Sequence, residues 1–96
     1  MARSQAGEQI LAALGRVRAI LDEVTVETRR TATEHESLAA WHAKRGEVNA
    51  ARAERQAAAV LHLRLSDLDA ARQALDRVSL AALDLERETF VAVADL

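Results

Sequence analysis

After Gly46 this chain contains neither glycine nor proline, and before Gly46 it has only Gly7 and Gly15. Tight turns and sheet connections draw heavily on those two residue types. A chain with so few places to reverse must put most of its 96 residues into long helices. The composition agrees. The apolar half is mostly Ala and Leu, and the charged 29% mixes both signs, as long helices do. Trp41 and Phe90 are the only aromatic residues. Alanine lets helix backbones approach closely but buries little area, whereas rings bury much more. A thin, elongated all-α core is the expectation.

The spacing of apolar residues shows where the helices would meet. Ile10, Leu14, Val17, Leu21 and Val24 recur at alternating intervals of four and three, the signature of a coiled-coil-like seam. In the same register the seam turns polar through Thr28, Thr31, His35, Leu38, His42 and Arg45. In the second half Leu61, Leu68, Leu75, Ala82, Thr89 and Leu96 repeat every seven residues, with Ala71, Val78, Leu85 and Ala92 at the complementary positions and Arg64 as the exception. Lys44-Arg45-Gly46-Glu47 is the strongest stop signal: cations in a last helical turn, a glycine able to take the left-handed conformation, then an acid for the next helix start.

These signals predict one helical domain over residues 1–96. It is a helical hairpin, with a helix near 5–45, a turn near 46 and a helix near 47–94, each about 60 Å long at the usual rise per residue. Ser4 could cap the first helix. The alternative is a three-helix bundle. Its turns would lie near residue 31, where Thr33 and Glu36 fit a capping box in a β-branched stretch, and near residue 64, just before Ser66 and Asp69. Leu80, Leu83 and Phe90 lie off the seam of the second helix, and Ile20 and Trp41 off that of the first. Two helices alone cannot cover these extra stripes. Dimerisation into a four-helix arrangement, or pairing with another helical protein, is therefore expected, with Ile10, Leu14, Val17, Leu21, Val24, Leu61, Leu68, Leu75, Val78, Leu80, Leu83, Leu85 and Phe90 as interface candidates.

Catalytic chemistry finds little support. His35 and His42 share a face but stand about 10 Å apart along a helix, too far to hold one metal ion. No His has an acidic residue or another His three or four positions away, so neither Glu-x-x-His nor His-Glu-x-x-His occurs. In a hairpin reversing at Gly46, His62 falls opposite residue 31 or so, within range of His35. Ser4, Ser37, Ser66 and Ser79 lie in helix-cap or helix-face contexts without a nucleophile elbow. Glu34/Glu36, Asp67/Asp69 and Glu86/Glu88 are two apart, on diverging faces. The expectation is a protein that is not an enzyme, with no cofactor and no metal. The chain has no cysteine, hence no disulfide framework and no thiolate ligand.

Charge adds one clue. The net charge is -2, which disfavours nucleic acid as a partner. Residues 29–64 carry seven basic and four acidic side chains, whereas residues 66–96 carry three and seven. The reversal end is thus basic and the last stretch acidic, and Arg29, Arg30, Lys44, Arg45, Arg52 and Arg55 would form any nucleic-acid tip. No uncharged apolar run approaches the ~20 residues a membrane span requires. The N-terminus MARSQAGEQ has no apolar core of a classical signal peptide. A soluble, cytoplasmic protein is expected.

A chain of this length without cysteine, read as a helical hairpin with Trp41 just before the turn at Gly46, resembles the ESX or WxG-type proteins of type VII secretion. The resemblance covers the whole length as architecture. Trp41 is followed by His42 and Ala43, so W-x-G itself is absent, and Phe90 stands five residues before Asp95, so a Y-x-x-x-D/E export signal is not matched. The resemblance implies homo- or heterodimeric pairing, and secretion without a classical signal peptide. Either way the heptad leucines hold the helices together. Leu75→Asp is expected to dissociate or unfold the protein, as read by circular dichroism melting and light scattering.

Overall fold

The computed structural model describes residues 5–94, with backbone only for residue 86 and residues 88–94. Ser4, Asp95 and Leu96, named above, lie outside the described residues. The protein is an all-α helical hairpin: α1 spans Gln5–Lys44 and α2 spans Val48–Ala94. No strand occurs among the described residues, and no helix there is long and apolar enough to cross a membrane.

The reversal forms where the sequence signal placed it. Gly46 adopts φ 75°, the only positive φ among the described residues. Its N–H donates to Ala43 O at 3.1 Å, and Glu47 N–H donates to His42 O at 3.0 Å. This is the Schellman closure, which satisfies the last carbonyls of α1. Glu47 O accepts from Ala51 N–H at 3.0 Å and so opens α2. Three residues therefore turn the chain.

The three-helix alternative does not occur. Both suspected breaks are continuous helix. The threonine-rich stretch stays helical, and its hydroxyls find partners inside the helix. Thr28 Oγ1 donates to Val24 O at 2.7 Å, Thr31 Oγ1 to Glu27 O at 3.0 Å and Thr33 Oγ1 to Arg29 O at 3.0 Å. These bonds to the preceding turn leave the threonines no reason to cap a new helix. Ser79 Oγ does the same to Leu75 O at 2.9 Å.

The chain divides into two compact units, Met1–Leu21 with Ala71–Leu96, and Asp22–Ala70. The second unit contains the reversal. Its buried residues are Ala32, Ala39, Ala51 and Ala58, each at most 4% exposed. On α1 they continue through half-buried Thr25, Thr28, His35 and His42; on α2 through half-buried Glu54, Leu61, Leu65 and Leu68. Every interval is three or four. Alanines at such intervals bring the helices close together near the turn, because a methyl group keeps the backbones apart least.

In the first unit Leu11, Leu14 and Leu21 on α1 are half-buried, as are Arg72, Leu75, Ser79 and Ala82 on α2. Leu14, Leu21, Leu61, Leu68 and Leu75 lie inside, as the spacing predicted. The other half of each expected seam does not. Ile10, Val17 and Val24 are 55%, 47% and 44% exposed, and Val78 and Leu85 are 53% and 65% exposed. Their places are taken by the next residue along, Leu11 and Thr25 on α1, Leu65, Arg72 and Ser79 on α2. Both choices of flank satisfy the four-three rule, and the turn decides between them. The reversal directs Ala39, His42 and Ala51 inward, and counting back in heptads from there selects Leu11 over Ile10.

At Gly46 an added Cβ would meet nothing within 4 Å. The cost of Gly46→Ala is then that of the left-handed backbone alone, about 1 kcal/mol. A urea titration should show that loss with an unchanged slope.

Candidate interaction surface

Heptad positions give each helix two flanks beside its seam. In the second unit the polar flank joins the helices: His62 Nε2 donates to Glu36 Oε1 at 2.5 Å. In the first unit Arg18 and Asp76 approach to 3.8 Å on the corresponding flank. A shallow groove of about 340 Å³ lies beside them, lined by Arg18, Asp76, Ser79, Leu80 and Leu83. Among the interface candidates Leu80 is exposed and Leu83 half-buried here.

The opposite flank of the first unit is different. On α1 it carries Ala6, Ile10, Ala13, Val17 and Ile20; on α2 it carries Ala71, Ala74, Val78, Ala81 and Leu85. None of the ten is charged or polar. The five large ones are 47–65% exposed. The charged side chains of this unit that the structure describes, such as Glu8, Arg16, Asp76, Arg77 and Asp84, occupy other positions. Side chains at these paired flanks lie next to each other in an antiparallel pair, which sets Ile10 near Leu85 and Val17 near Val78. The interface candidates Ile10, Val17, Val78 and Leu85 thus come together on one face. Val24 is exposed within the second unit, and the side chain of Phe90 lies outside the described residues.

Within the second unit the same flank is interrupted by Glu27, Thr31 and Glu34 on α1 and by Arg64 and Asp67 on α2. It becomes apolar again toward the turn at Leu38 and Trp41, 44% and 52% exposed. The Arg45 guanidinium lies 4.6 Å from the Trp41 ring centroid and its Nε donates to Glu47 Oε1 at 2.7 Å. The His42 ring meets the Trp41 ring edge-on, with centroids 4.9 Å apart. The turn is therefore fastened by side chains as well as by its backbone.

All three histidines face a glutamate. His35 Nδ1 donates to Glu54 Oε2, His62 pairs with Glu36, and His42 Nδ1 lies 3.5 Å from Glu47 Oε2. That last approach lacks hydrogen-bond geometry, so His42 Nδ1 is buried without a hydrogen-bond partner. His62 thus approaches a carboxylate rather than His35. Among the described residues no group of three or more His, Asp or Glu side chains converges as a metal site requires. Glu36, Glu47 and Glu54 were not foreseen as partners, yet one signal was present. Extending the Leu61, Leu68, Leu75 series one heptad toward the turn lands on Glu54. An acid there, inside the seam, needs a donor across it.

No known protein family, no curated protein and no solved structure matches the chain. The surface itself is therefore the guide to function.

The two cross-helix pairs differ in exposure. The side chains of His35 and Glu54 are 32% and 24% exposed, those of His62 and Glu36 57% and 53%. Double-mutant cycles to alanine should give a coupling of about 1 kcal/mol for the first pair and about 0–0.5 kcal/mol for the solvent-screened second, measured by urea unfolding.

Proposed function

We propose that the chain is a non-enzymatic helical interaction module that works by associating with itself or with another helical protein. The observation that carries this is the charge-free flank of the first unit. Exposed apolar residues scattered singly are ordinary, but a contiguous set without a single polar interruption marks a binding surface. Five such large side chains share that flank, while the opposite flank holds an ion pair. Segregation of this kind is costly for a solitary protein, because the apolar flank orders water and gains no contact in return. Covering it against helices would give a four-helix, coiled-coil-like assembly.

The rest of the molecule supports a scaffold role. Among the described residues the buried side chains are alanines, so the internal seam contributes modest apolar area and leaves stabilisation to be gained outside. The pairing implied by the likeness to WxG-type proteins would use such a flank as well.

Photo-crosslinking in the cells that make the protein tests this. A benzophenone amino acid replacing Val17 or Val78 should give a discrete crosslinked band, whereas the same group replacing Arg16 or Arg77 should not. Absence of any band from the apolar flank would overturn the proposed function.

A further inference from the structure

We infer that the turn-side half of the polar flank docks an acidic helix of another protein, whose carboxylates meet Arg29, Arg52 and Arg55. This rests on the association reading and gives the partner a chemistry.

The bond between His62 and Glu36 marks this flank of the second unit. Arg29 stands one heptad before Glu36 on α1. Arg55 stands one heptad before His62 on α2, and Arg52 lies one turn nearer the reversal. Residues a heptad apart share a face, so the three guanidinium groups line one edge of the hairpin. All three are exposed, and none forms an ion pair among the described residues. Arg30 and Arg45, by contrast, have Glu27 and Glu47 beside them. The acids that could neutralise the flank are engaged elsewhere: Glu36 bonds His62, and Glu54 bonds His35.

Uncompensated charge on such a flank selects a partner of opposite sign, and guanidinium groups hold carboxylates by paired hydrogen bonds. The other turn-side positions, Thr33, Ala40, Ala43 and Ala59, are small and exposed, so a helix can approach within reach of the arginines. Arg52 and Arg55 lie about 9 and 14 Å from Gly46 along α2, and Arg29 about 25 Å from it along α1. The partner's acidic face is therefore about three turns long.

A helix fits this pattern better than a nucleic acid does. Asp22 and Asp69 follow one heptad beyond Arg29 and His62. A phosphate chain tracking the flank would run onto them, whereas a helix can change sign after three turns. Trp41, the only tryptophan, lies on the other flank and gives bases nothing to stack on here. The chain's own acidic stretch is a poorer occupant as well. Residues 66–96 set Arg72, Arg77 and Arg87 among their acids, and docking them near the turn of another copy is a head-to-tail contact that does not close.

The probe is an alanine-based helical peptide with one glutamate face about three turns long, beside a twin with glutamine at the same positions. Fluorescence anisotropy should show the glutamate peptide binding at least tenfold more tightly than its twin, and more weakly as salt rises. Arg52→Gln with Arg55→Gln should lower its affinity at least tenfold, with helical circular dichroism retained. Arg16→Gln with Arg77→Gln should leave the affinity within twofold. Equal binding of the two peptides, or equal loss from both double variants, would overturn the docking surface. Tighter binding of a DNA duplex with the same arginine dependence would overturn the helical partner. A multimer of the unmodified chain in sedimentation, dissolved by Arg52→Gln with Arg55→Gln, would make a second copy the occupant and overturn the other protein. Crosslinks from Val17 or Val78 report association whether or not the peptide binds, so the two proposals fail separately.

Discussion

A single left-handed residue governs the seam. Gly46 closes α1 by the Schellman pattern and releases α2 two residues later, and so tight a reversal leaves little freedom in which faces of the helices meet. Ala39, His42, Ala51 and Glu54 come inward because they flank that turn. Heptad spacing then carries the choice along both helices. Ala32 and Ala58 continue it, and Leu11, Leu14, Leu75 and Ala82 lie on the same series in the first unit. The exposure of Ile10 and Val17 follows from the geometry at residue 46 as much as from their own neighbourhood.

This explains what was legible in the sequence and what was not. The helical class, the place of the reversal and the seam leucines Leu14, Leu21, Leu61, Leu68 and Leu75 could be read directly, because they depend on local signals: absence of breakers, a glycine after cations, a seven-residue repeat. The flank was ambiguous. Ile10-Leu14-Val17-Leu21 and Leu11-Leu14-Arg18-Leu21 have equally regular spacing, and hydrophobicity favours the first. The second is half-buried at Leu11, Leu14 and Leu21, while Arg18 stays exposed and reaches toward Asp76. A scale that scores Arg as polar cannot register that. The threonine stretch misled for a related reason: low helix propensity gives way to packing where Thr25, Thr28, Thr31 and Ala32 are covered.

The histidines show the same limit. Spacing along one helix correctly excluded ligand pairs within that helix, but the partners of His35 and His62 lie on the other helix. Glu54 continues the leucine series toward the turn, where a carboxylate inside a seam is costly unless a donor meets it. Glu36 lies on the polar flank instead, where its bond to His62 is exposed. In the first unit an ion pair on one flank and an unbroken apolar surface on the other give a directional character that composition alone conceals.

The alanine seam near the turn has an evolutionary consequence. In most globular cores damage comes from losing volume, since truncating a buried leucine leaves a cavity. Here Ala32, Ala39, Ala51 and Ala58 are nearly devoid of exposure and have almost nothing to lose by truncation. Added atoms are the hazard, because each would wedge two close backbones apart. The usual tolerance of sequence drift is therefore inverted in this segment: the smallest side chains are the least replaceable, and selection there acts against growth.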